Sequence, residues 1–99
     1  MFLVRDIMYC KPGQARPMVE KFQKLSTVMQ GMGMGPMRLM TDLTAERYWT
    51  VVAETEVPDL AEYTKQSRQA SEAPETREIM KGYHDLVHSG RREIYVIEK

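Results

Sequence analysis

Apolar residues alternate along three stretches of this chain, and in each stretch both alternating sets are greasy. In residues 2–10 (FLVRDIMYC), Phe2, Val4 and Met8 fall on one side and Leu3, Ile7 and Tyr9 on the other, because successive side chains of a strand point to opposite faces. Residues 48–55 (YWTVVAET) set Trp49, Val51 and Ala53 against Tyr48 and Val52, and residues 93–97 (EIYVI) repeat the arrangement. Elsewhere the period changes. Met18, Phe22, Leu25 and Met29 form one stripe on a helix expected over 15–30, which Gly31, Gly33, Gly35 and Pro36 bring to an end. A short strand over 37–41 and a loop over 42–47 follow. Val57-Pro58-Asp59 opens a second helix with Pro58 at its first position, Leu60, Tyr63 and Ser67 turned inward, and an end near Ala70. Pro74 breaks the next stretch. A third helix is expected over 74–88, with Ile79, Met80, Tyr83, Leu86 and Val87 on its apolar side. Ser89-Gly90 terminates it before a last strand over 92–97.

The order strand, helix, strand, strand, helix, strand predicts an α+β, ferredoxin-like β-α-β-β-α-β fold. Right-handed crossovers place such a chain in a four-stranded antiparallel sheet, its helices on one face and its first and third strands central. The 99 residues make one domain, 1–99, with too little chain to lay a second helical layer on the other face. Strands that are apolar on both sides need cover on both sides. The expected cover is a second copy of the sheet, which makes the protein a homodimer through the sheet face, a dimeric α/β barrel.

Composition narrows the partners. Fourteen basic residues balance fourteen acidic ones, so no charge excess draws the chain to nucleic acid or to an anionic membrane. No apolar run approaches the roughly 20 residues that cross a bilayer. Arg5 and Asp6 interrupt the amino-terminal apolar run before a secretory core could form. The lone Cys10 cannot form an internal disulfide, which fits a reducing compartment, and the cytoplasm is the expected location.

A strand running into Lys11-Pro12-Gly13, a helix beginning at once, and a closing GRREIYVI over 90–97 after an amphipathic segment carry a resemblance. The chain resembles the dimeric α+β-barrel superfamily of antibiotic-biosynthesis-type monooxygenases, EthD-like and NIPSNAP-like proteins. The resemblance implies two ferredoxin-like protomers pressed sheet against sheet, each with a pocket between sheet and helices. The superfamily includes cofactor-free oxygenases, haem-degrading enzymes, isomerases and proteins without a known reaction. NIPSNAP-like proteins often carry an arginine shortly before Lys-Pro-Gly, where this chain places Asp6. The haem-degrading subgroup uses a strand tryptophan, a helix histidine and a first-strand asparagine. Trp49 and His84 resemble the first two, but the chain contains no asparagine, so that triad is incomplete and no cofactor is expected.

The candidate chemistry centres on a sheet–helix pocket. Arg5 and Asp6 are charged neighbours in an apolar strand and must point to opposite faces, so a buried member needs a partner, for which Glu54 and Arg92 are the candidates. Asp6 and His84 are the candidate proton-handling groups, with Met8, Trp49, Tyr83 and Arg5 as the residues expected to hold a ligand. His84 and His88, four apart on one helix, have a spacing that suits a metal, yet no HExxH-type motif accompanies them and no metal site is assigned. At a helix carboxyl end His88 also meets a favourable dipole, without any ligand. Met29, Met32, Met34, Met37 and Met40 crowd a glycine-rich stretch as pliable packing or a lid. Cys10 lacks a neighbouring base and reads as packing. The function expected is binding of a small apolar molecule. The alternatives are cofactor-independent oxygenation or isomerisation of a phenolic or polycyclic compound, and a structural or stress-associated interaction module.

Overall fold

A computed structural model describes residues 1–98. The elements run β1 (Phe2–Cys10), α1 (Ala15–Gly31), β2 (Arg38–Thr41), β3 (Thr50–Val57), α2 (Leu60–Glu72), α3 (Pro74–Met80), α4 (Tyr83–Leu86) and β4 (Val87–Val96). The strands form one antiparallel sheet in the order β2-β3-β1-β4, with β1 and β3 central as expected. The helices lie on one face, and the fold is α+β and ferredoxin-like.

The helix-side face of the sheet holds the core. Val4 and Met8 of β1 stand beside Val51, Ala53 and Val57 of β3, and α1 lays Met18, Val19, Phe22 and Met29 onto them. Met34 completes this packing from the glycine-rich connection, so two of the clustered methionines, Met29 and Met34, are core filler. Asp59 caps α2, its Oδ1 accepting the amide of Glu62 at 3.1 Å. Pro58 therefore precedes the cap instead of occupying the first helical turn, and α2 runs two residues past Ala70.

The largest departure lies at the carboxyl end. Residues 74–88 do not form one helix. Helix α3 stops at Met80, Gly82 takes a left-handed conformation (φ +85°), α4 is a single turn, and the chain is a strand from Val87 onward. The ammonium of Lys21 on α1 donates to the carbonyls of Ile79 (3.0 Å) and Lys81, occupying the acceptors that a continuing helix would use. His88, Ser89 and Gly90 are thus strand residues, so His84 and His88 do not share a helix face, and the dipole argument for His88 falls with it.

The opposite face of the sheet is mixed, which corrects the expectation of two uniformly apolar sides. Leu3, Ile7, Tyr9, Met40 and Val52 supply apolar surface. Across them runs a row of charge in register on all four strands: Arg38, Glu54, Arg5, Glu93. Glu54 is buried, 2.7 Å from Arg38 and 3.0 Å from Arg5 Nε, close enough to pair with Arg5 but not oriented as a hydrogen bond. Glu93 takes Arg91 Nε at 3.0 Å and the Tyr95 hydroxyl at 2.9 Å; the Tyr95 hydroxyl, with help from Arg91, holds its carboxyl below the usual range.

Candidate functional site

Between the sheet and the helices lies a cavity of about 500 Å³, within the range that takes a small organic ligand. Its apolar wall combines Met8 of β1, Phe22, Leu25 and Met29 of α1, Met37, and Met80 of α3. One stripe of α2 closes another side: Tyr63, Ser67, Ala70 and Ser71 recur at helical spacing and all line the space. Gly90 lines it from β4, directly across from Met8.

The polar groups sit at two places. On the sheet, Asp6 and Arg92 are cross-strand partners, and their side chains meet in a forked pair: Arg92 Nε donates to Oδ1 at 2.7 Å and Nη2 to Oδ2 at 3.2 Å. Bidentate geometry strengthens such a pair, and the Asp6 carboxylate raises the affinity of Arg92 for its proton. The guanidinium also stands 6.0 Å above the Tyr63 ring. Tyr83 projects beside Phe22, its ring edge-on at 6.3 Å. Burial, then the charges of Asp6 and Cys10, push its phenol upward, so it stays a neutral donor throughout the neutral range.

The second polar place is the α2–α3 corner. Ser67 Oγ and Thr76 Oγ1 are shut off from solvent and have no hydrogen-bond partner among the described residues, and both residues line the cavity. A hydroxyl left that way costs the fold about 1–3 kcal/mol.

Asp6, Met8 and Tyr83 therefore come together, and three other expected residues do not. His84 is exposed and outside the cavity. On a one-turn helix, adjacent residues point about 100° apart, so inward Tyr83 leaves His84 outside, its ring against the edge of Tyr83 at 5.3 Å. Trp49 is not a strand residue: β3 begins at Thr50, and Trp49 turns the chain with a positive φ of 61° while its carbonyl accepts the Cys10 amide. Its side chain lines a separate surface cleft with Ala15, Arg16, Thr41, Asp42 and Tyr48. Arg5 lies on the opposite face of the sheet, engaged by Glu54. Cys10 is buried, and burial raises its thiol pKa, which leaves it inert. Arg92, Thr76 and Gly90 are wall residues that sequence reasoning did not assign to the pocket. Arg92 was legible as a partner for a first-strand charge; Thr76 carried no signal.

Scanned against protein-family models, the chain matches none, and no curated protein matches it. Solved structures do. A NIPSNAP-like domain protein from Burkholderia xenovorans aligns with a TM-score of 0.82 at 16% identity, covering 98% of this chain and 84% of that one. A NIPSNAP family protein from Agrobacterium tumefaciens aligns at 0.81 and 10% identity, covering 96% and 90%. An antibiotic biosynthesis monooxygenase aligns at 0.72 and 13% identity over the whole of both chains. The chain thus has the ferredoxin-like fold of NIPSNAP-like and antibiotic biosynthesis monooxygenase proteins, as its resemblance implied. At these identities the likeness carries the fold and no further.

Proposed function

We propose that this protein holds a small, mostly apolar molecule in the cavity between its sheet and helices. The observation that carries this reading is the lining: a methionine-rich wall that adapts to shape, set against a few fixed polar groups that orient what enters. The Asp6–Arg92 pair is internally neutralised, so it asks for no net charge in the ligand. The neutral fluorophore N-phenyl-1-naphthylamine is expected to bind saturably at micromolar concentration and to be recovered unchanged. Ser71 is exposed where it lines the cavity, so Ser71→Trp places an indole at the rim and is expected to weaken binding at least tenfold. Absence of saturable binding by the unaltered protein would sink the proposal.

We propose in addition that two copies associate through the open sheet face. The alternating row supports this. A half-turn about an axis parallel to the strands reverses the order across the sheet, so Arg38 meets Glu93 of the second copy and Glu54 meets Arg5. Every charge then faces its opposite, which an isologous interface requires. Apolar surface is also left bare on that face at the end of the edge strand, where Tyr95, in register with Leu3, is more than two-fifths exposed. Light scattering is expected to give a dimer at micromolar concentration, and Arg5→Glu a monomer. A folded monomer of the unaltered chain would overturn this arrangement.

A further inference from the structure

The cavity wall is jointed at one corner. Met80 and Tyr83 both line the space, and between them the chain leaves helix: Lys81 is extended (ψ 127°) and Gly82 is left-handed (φ +85°). The places of these two side chains therefore hang on a pair of peptides and not on one continuous helix. The far end of α4 is tied to the first strand, where the Lys11 amide donates to the Leu86 carbonyl at 2.8 Å. The near end is tied by Lys21. Its ammonium donates to the carbonyls of Ile79 (3.0 Å) and Lys81, the two residues that flank Met80. It also sits against the joint itself, 3.9 Å from where a Cβ on Gly82 would stand. Charged donors make the stronger hydrogen bonds, and Lys21 pairs with no carboxylate among the described residues, so these carbonyls are what its charge serves. The next residue of α1, Phe22, lines the cavity and meets the Tyr83 ring edge-on.

We infer that Lys21 is a positioning residue of the cavity, clasping the α3–α4 corner to α1 so that Met80 and Tyr83 stay in its wall. This deepens the proposed binding role and rests on it. Lys21 is not itself a lining residue, so it acts on a bound molecule only through the two side chains that it places. With the clasp closed, Met80 and Tyr83 hold the molecule against Phe22. Without it the corner turns at Gly82 and the molecule leaves sooner. Part of the affinity is thus set by a side chain that never meets the ligand.

The test is Lys21→Met, which keeps an apolar stem and removes the donors, measured in the full chain with N-phenyl-1-naphthylamine. Affinity is expected to fall about tenfold, chiefly through faster dissociation in stopped-flow fluorescence. Lys24→Met, an exposed lysine on the same helix, should bind within twofold of the parent. A double-mutant cycle separates positioning from general loosening. In a Met80→Ala background the wall atom is already gone, so Lys21→Met should cost less than threefold there. Hydrogen exchange in Lys21→Met should quicken at the amides of Lys81 and Asp85, which bond within the corner, and stay unchanged in the β1–β3 ladder. Unaltered affinity in Lys21→Met would overturn the inference, as would the same tenfold cost in the Met80→Ala background. So would an equal loss in Lys24→Met, or exchange quickened throughout the sheet, since the first is a charge effect and the second a failure of the whole fold. In each of these cases apolar binding by the cavity survives. If the unaltered protein does not bind the fluorophore, the cavity reading falls and takes the inference with it.

Discussion

Met18→Ala is expected to remove about 3 kcal/mol of stability, read as a fall in the urea midpoint of about 1–3 M. Met18 has no exposed surface, and it sits among Met8, Cys10, Phe22, Val51 and Ala53 where α1 meets the sheet. Truncation loses the transfer energy of the side chain and leaves a void that β1, β3 and α1 cannot close without bending paired strands. Against a total stability of about 5–15 kcal/mol for a domain of this kind, that loss is large. Leu43→Ala is the control, because Leu43 is 99% exposed; its effect should stay within about 0.5 kcal/mol. A Met18→Ala loss below about 1 kcal/mol would show that the cluster relaxes freely, contrary to the packing described.

Gly90→Ala is expected to cost about 2 kcal/mol, through backbone and not through packing. A Cβ built on Gly90 falls 2.9 Å from the Ile7 carbonyl oxygen, a fixed member of the β1–β4 ladder. The two strands must part to admit it. Hydrogen exchange should accelerate at amides shared by β1 and β4 and remain unchanged between β2 and β3. Gly31→Ala separates this from a general glycine effect: its Cβ meets nothing within 4 Å and its φ is not left-handed. That substitution should be neutral or stabilise by up to about 1 kcal/mol. Equal exchange rates in both ladders of the Gly90 variant would refute the steric account.

The two variants probe features of different legibility. The apolar alternation of β1 and the stripe of α1 were readable because each is a local pattern: β1 spans the expected residues and α1 runs one residue longer. The charges of the first strand were readable too, since an apolar strand leaves them no option but partners, and Glu54 and Arg92 are those partners. The carboxyl-terminal break was not. Ile79, Met80, Tyr83, Leu86 and Val87 fit a helical stripe, but the chain breaks at left-handed Gly82, and the Ile79 carbonyl is taken by an ammonium 58 residues away in sequence. Trp49 misled for a related reason: an aromatic beside a valine run favours a strand, while the turn before β3 demands a left-handed residue there. The orphan hydroxyls of Ser67 and Thr76 are further still from sequence, because a missing partner is a property of every element around them. Ser67 was at least placed inward by the period of α2.

The cross-sheet row of Arg38, Glu54, Arg5 and Glu93 also bears on mistakes of assembly. Sliding one sheet sideways over another by a single strand spacing, about 4.8 Å, sets guanidinium against guanidinium and carboxylate against carboxylate. Greasy sheets alone would tolerate that slip, and with it open-ended piles of misaligned copies. In the proposed dimer, four side chains of alternating sign would act as a combination lock on the stack, admitting one alignment and repelling its nearest neighbours.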